Sequence, residues 1–88
     1  MNVAASDPRF ASWRGKLRVY RGEEDVTDRC ASVETADGSG VLYKLRDGRK
    51  YLDGDEAASE VVSGLRIVPA PEVAEAFWRF VMAGEAGA

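Results

Sequence analysis

The sequence predicts an α+β fold. It should be an antiparallel β-meander of four or five strands, or a small partly open barrel, with a C-terminal amphipathic helix and a short N-terminal helix. Three observations predict it. Polar and apolar residues alternate with period two through Lys16–Arg21, and Val41–Leu52 reads as a second strand run. The dipeptide Asp47-Gly48 divides the second run, the strongest short signal for a tight hairpin. Val73, Phe77, Phe80 and Val81 then recur at helical spacing near the C-terminus. A chain of 88 residues holds one hydrophobic core, expected over residues 7–84 with disordered tails at 1–6 and 85–88.

Asp7-Pro8 reads as a helix start, with Asp7 as cap and Pro8 in the first position, where its missing N–H is not needed. Phe10 and Trp13 then share a face, and Gly15 ends a short helix over 8–14. In the strand Lys16–Arg21, Leu17 and Val19 point inward, and Lys16, Arg18 and Tyr20 outward. Gly22-Glu23-Glu24-Asp25 is turn chemistry, Val26-Thr27 resumes a strand, and Cys30–Thr35 is extended with Val33 facing in. A loop follows at Asp37-Gly38-Ser39-Gly40.

A two-residue turn at Asp47-Gly48 sets Arg46 opposite Arg49, Leu45 opposite Lys50, Lys44 opposite Tyr51 and Tyr43 opposite Leu52. One face would hold Val41, Tyr43, Leu45 and Leu52, and the other Lys44, Arg46, Arg49 and Tyr51. Asp53–Glu56 is a second polar turn. Leu65 and Ile67 alternate with Arg66 in the last strand, Gly64 marks a bulge or close approach, and Pro69 stops the strand. The C-terminal helix should start at Pro71 and end at Gly84.

Composition removes much chemistry. There is no histidine, hence no imidazole base, ligand or pH switch. The single Cys30 permits neither an intramolecular disulfide nor a cysteine-built zinc site, and reads as a small buried hydrophobe. Asp53, Asp55 and Glu56 lack the remaining ligand positions of a calcium loop. No glycine-rich phosphate loop and no activated nucleophile are present, so no catalytic residue, cofactor or metal is expected. The first residues lack the pattern of a signal peptide and no apolar run is long enough to span a bilayer, which makes a cytoplasmic protein without a membrane partner the expectation.

The net charge of −3 is unevenly spread: residues 1–50 carry ten Lys/Arg against eight Asp/Glu, and residues 51–88 carry two against seven. Two surfaces of opposite character are implied. If strand 16–21 and the hairpin share one sheet face, Lys16, Arg18, Tyr20, Lys44, Arg46, Arg49 and Tyr51 interleave cations with rings. Such a face suits an acidic protein surface, since Arg and Tyr are favoured at interfaces, and equally a single-stranded nucleic acid, whose bases stack on rings. Trp78 falls about 100° from Phe77 on the helix. It would either pack on the Phe10/Trp13 segment or stand exposed, making Phe77, Trp78 and Phe80 candidates for self-association, including a homodimer.

The run Leu17–Cys30 (LRVYRGEEDVTDRC), followed by Val41-Leu42-Tyr43 and closing on Gly64–Val68, resembles small uncharacterised accessory proteins of tailed phages and prophages. The resemblance covers about residues 17–68. It implies origin in a mobile element and carries no functional residue across. With the residues, it leads to the expectation of a non-catalytic module that binds a host or phage protein, for instance to inhibit a bacterial defence complex as anti-CRISPR proteins do. A nucleic-acid-binding module and a self-associating virion subunit are the alternatives.

Overall fold

A computed structural model describes residues 1–86, and it is a mostly antiparallel β structure carrying a C-terminal helix, with its sheets not closed into a barrel. One sheet has the order β1-β4-β5-β10, from β1 (Asn2–Ala4), β4 (Cys30–Glu34), β5 (Gly40–Tyr43) and β10 (Ser59–Val62). The other has the order β11-β2-β3, from β2 (Leu17–Arg21), β3 (Glu24–Asp25) and β11 (Leu65–Pro69). Two further two-stranded ladders pair β6 (Leu45–Arg46) with β7 (Arg49–Lys50), and β8 (Leu52–Asp53) with β9 (Glu56–Ala57). The chain passes from the first sheet to the second at Ser63-Gly64, where the positive φ of Gly64 (77°) turns the corner between β10 and β11.

Strands β2 and β11 bury the side chains that their period marks, but β5 buries Gly40 and Leu42 and leaves Val41 and Tyr43, expected on the apolar face, only half-buried. Val19, Leu65 and Ile67 point inward from the second sheet, and Val3, Val33, Leu42 and Val62 from the first. Gly40 lets the two sheets meet. A Cβ on it would lie 2.2 Å from the Ser32 carbonyl oxygen and 2.6 Å from Leu65 Cδ1, so only glycine fits where β4 and β5 close on the second sheet. The β4–β5 register shifts between Cys30 and Ser32 at this same place.

Two helical pieces cover the end of this core. Asp7 caps a 3₁₀ helix over Pro8–Trp13, accepting from Arg9 N at 2.9 Å. The expected helix is therefore present, in the tighter i→i+3 form that suits so short a segment. Its Phe10 and Trp13 rings meet Phe77 and Phe80 of α1 (Ala74–Ala86) at centroid separations of 5.4–6.3 Å. Phe77 is completely buried and Val81 nearly so, which bears out the apolar stripe as the seat of the helix. A buried Phe side chain contributes on the order of 1.5–3 kcal/mol.

Several expectations are corrected. Residues 1–6 are not a disordered tail, because β1 pairs Val3 with Val33 and the Met1 ammonium lies 2.7 Å from Glu34 Oε1. A three-residue strand is too short to show a period. Val26-Thr27 does not form a strand. Gly22-Glu23 closes a tight hairpin that pairs Arg21 with Glu24 and Tyr20 with Asp25, and Thr27–Arg29 is a 3₁₀ turn behind buried Val26. The helix starts at Ala74 rather than Pro71 and runs through Gly84 to Ala86. The tail expected at 85–88 thus begins as helix, and residues 87–88 lie outside those described.

Gly40→Ala should destabilise the fold by about 1–3 kcal/mol, since the new methyl meets backbone that cannot give way. Gly84→Ala meets only the end of the flexible Met1 side chain and gains helix propensity, so its effect should stay under about 1 kcal/mol. Urea unfolding of the two variants checks the contrast.

Candidate partner-binding arm

The hairpin at Asp47-Gly48 forms with the expected pairs, Leu45 opposite Lys50 and Arg46 opposite Arg49. Asp47 and Gly48 have φ of 53° and 78°, both positive as a type I′ turn requires. The ladder then stops. Lys44 N donates to Ala58 O and Ala58 N donates to Tyr51 O, each at 2.9 Å, so the expected partners Lys44 and Tyr51 both join through Ala58 instead. Tyr43 pairs with Ser59 rather than Leu52, and Leu52 pairs with Ala57 in a second hairpin turned by Gly54. Residues 44, 51 and 58 therefore form a three-way junction from which β5/β10, β6/β7 and β8/β9 leave as separate ladders.

The junction takes both hairpin arms out of the core. Every residue from 44 to 57 except half-buried Tyr51 is exposed. Leu45 and Leu52, expected inward, are 46% and 71% exposed. Leu45 has the parity of Val41 and Tyr43, whereas β5 buries Gly40 and Leu42, so the face expected inward is the one turned away from the core.

The arms have opposite charge. Lys44, Arg46, Arg49 and Lys50 belong to the first, and Asp53, Asp55 and Glu56 to the second. None of these seven has an ion-pair partner within 4.0 Å among the described residues. On the basic arm the Arg46 guanidinium lies over the Tyr51 ring at 4.3 Å, and the Lys50 ammonium over the Tyr43 ring at 4.8 Å. These stacks hold the long side chains against the arm and leave their N–H donors outward. Across an open groove of about 560 Å³, Leu45, Gly48, Arg49 and Lys50 look toward Glu24, Asp25 and Asp28.

The cations of β2 do not join this arm, because β2 lies in the other sheet, between β11 and acidic β3. Lys16 Nζ is 3.1 Å from Glu72 and Arg18 is 3.7 Å from Asp25, while Tyr20 carries Arg66 at 4.9 Å from its ring. The single face drawn from Lys16, Arg18, Tyr20, Lys44, Arg46, Arg49 and Tyr51 is thus divided. Its first three members are spent within the fold, and its last four stand together at the arm. Lys50, Tyr43 and Leu45 are functional candidates that the face assignment missed. The turn register places Lys50 opposite Leu45, on the face opposite to the one read as binding.

The helix candidates separate too. Phe77 is wholly within the core and Phe80 half-buried against Phe10 and Trp13, so neither forms an open self-association surface. Trp78 touches the Phe77 ring edge-on at 5.0 Å, not Phe10 or Trp13, and remains 38% exposed beside exposed Met82.

Cys30 is half-buried, and burial pushes its thiol above the ordinary range, the opposite of what a reactive thiolate needs. Among the described residues no three Asp, Glu or Cys side chains converge as metal ligands. No described helix is long and apolar enough to cross a membrane. Comparison with family models, curated proteins and solved structures found no match.

Five surface carboxylates are held below their ordinary range by local donors: Asp7 by Arg9, Asp25 by Thr27, Glu34 by the N-terminal ammonium, Asp37 by Ser39, and Glu72 by its own backbone N–H and then Lys16. A carboxylate with a lowered folded-state pKa stabilises above its unfolded value, and that stabilisation is lost as pH falls through the folded one. The melting temperature should therefore be nearly flat from about pH 5.5 to 7, where no histidine titrates, and fall steadily below about pH 4.5. Thermal melts across pH 2–7 measure this, and a transition near pH 6.5 would contradict it.

Proposed function

We propose that the protein is a non-catalytic protein-binding module that seats its basic arm on an acidic surface of another protein. One observation carries the reading. Lys44, Arg46, Arg49 and Lys50 stand exposed without carboxylate partners, whereas Lys16, just before β2, and Arg18 on it are matched within the fold. Unmatched cations stacked on tyrosines, with exposed Leu45 beside them, have the composition of an interface centre.

The surroundings of the arm favour a protein over a nucleic acid. Acids flank it on both sides, with Glu24, Asp25 and Asp28 across the groove and Asp53, Asp55 and Glu56 on the neighbouring arm. A phosphate backbone running along the arm would meet both. The Tyr43 and Tyr51 rings already carry a cation each, which leaves less ring face for an unpaired base. A protein surface can supply a compact acidic spot fitted to the arm, with basic groups at its margins. The origin implied by the sequence resemblance would make that surface one of a host or phage protein. A module without an activated nucleophile acts on such a partner by covering it, so inhibition is the form of action this reading implies.

The test is a pull-down from bacterial lysate with and without nuclease, using the wild type and an Arg46→Glu/Arg49→Glu/Lys50→Glu variant. The wild type should retain a stoichiometric protein in both lanes, and the variant should lose it while keeping the wild-type unfolding midpoint. Recovery of nucleic acid alone, or equal capture by the variant, would sink the reading.

A further inference from the structure

Core side chains are also reached from solvent at a second cleft, which shares no lining residue with the groove at the arm. Between β2 and β4, beneath the 3₁₀ helix Pro8–Trp13, lies a cleft of about 290 Å³. Its floor is made of core side chains, Val3, Phe10, Val19, Val33 and Ile67. Half-buried Trp13, Leu17 and Cys30 form walls, and exposed Arg14 is also part of the lining. No residue of either hairpin arm lines this space.

Such a cleft is poorly suited to water. An ordered water needs two to four polar partners, and the lining offers few. Thr27 Oγ1, one of its polar groups, already accepts from Val19 N and donates to Asp25. The Cys30 thiol is directed to Ser32 O at 3.5 Å. The lining therefore favours an apolar occupant, and the charge beside it selects the head group. Arg9 and Lys16, on either side of Arg14 in the chain, have carboxylates at 2.7 and 3.1 Å, from Asp7 and Glu72. Arg14 has none among the described residues.

The geometry points to a binding site for a small amphiphilic carboxylate, its apolar body in the cleft and its anionic head on the Arg14 guanidinium. A cavity of about 150 Å³ accommodates benzene, so this one takes a body of about ten carbons. A guanidinium can meet the carboxylate with two parallel N–H donors, which an alcohol or a cationic head could not use.

Decanoate is the probe. In a Trp78→Phe background Trp13 is the sole tryptophan and stands in the cleft wall, so its fluorescence reports occupancy. Decanoate should change it saturably at one site per chain, and Arg14→Ala should weaken that binding at least about tenfold. Decyltrimethylammonium, with the same chain and the opposite charge, should bind at least about tenfold more weakly. In the wild type, saturating decanoate should slow alkylation of Cys30 by iodoacetamide. No saturable change in fluorescence together with unprotected Cys30 would overturn the site, and equal binding of the two amphiphiles would overturn its anionic ligand. Neither result bears on the arm, whose test uses a different surface.

Discussion

Everything else in the molecule rests on how the open end of a thin two-sheet core is closed. The sheets supply mainly valines and leucines, too little to exclude water from their exposed end. Phe77 closes it: fully buried, it touches Phe10 and Trp13 from the other end of the chain, with Phe80 beside them. The contact joins residues more than sixty positions apart and fixes both helical pieces at once. Gly40 is its counterpart, where the absence of a side chain lets the β4 backbone lie close within the sheet and Leu65 of the other sheet pack against it. One position requires the largest apolar group and the other requires none. Both follow from filling a small volume at native density.

With the core occupied in this way, nothing remains to cover residues 44–57, and the exposure of the arms follows. The junction at Lys44, Tyr51 and Ala58 satisfies the backbone where three ladders part, with Ala58 buried at its centre. It separates two tasks. The sheets and helix carry stability, while the arms carry unmatched charge that stability does not use. Three of the cations nearer the body are handled differently, for Lys16, Arg18 and Arg29 each find a carboxylate within 4.0 Å. Exposed pairs of this kind contribute little to stability, typically about 0–1 kcal/mol. On the proposed reading their effect is on recognition, because a matched cation is a weaker lure for a partner than an unmatched one.

What could be read from the sequence was local. The Asp47-Gly48 turn and the pairs on either side of it depend on the conformational needs of two residues. The inward set Val19, Val33, Leu65 and Ile67, and the stripe Val73–Val81, depend on period alone. What could not be read was decided at a distance. The ladder changes partner at Lys44 because Ala58, fourteen residues on, competes for its N–H. Alternation through Leu45 and Leu52 gives no sign of that competition. Lys16 is neutralised by Glu72 from 56 positions away, which divided a face that looked continuous in one dimension. β1 was missed because three residues cannot display a period, and its place depends on Val33 and Glu34.

The three-way junction also bears on how such a protein can change over time. An antiparallel ladder lengthens by cross-strand pairs, and each added pair preserves which side chains face which way. Inserting two residues on each side of Asp47-Gly48 would extend the reach of the basic arm while leaving Lys44, Tyr51 and Ala58, and the core behind them, as they are. Arm length and arm charge can therefore drift independently of the scaffold. On the proposed reading, lineages sharing this core would come to differ most in residues 45–57, where a changing partner would exert its pressure.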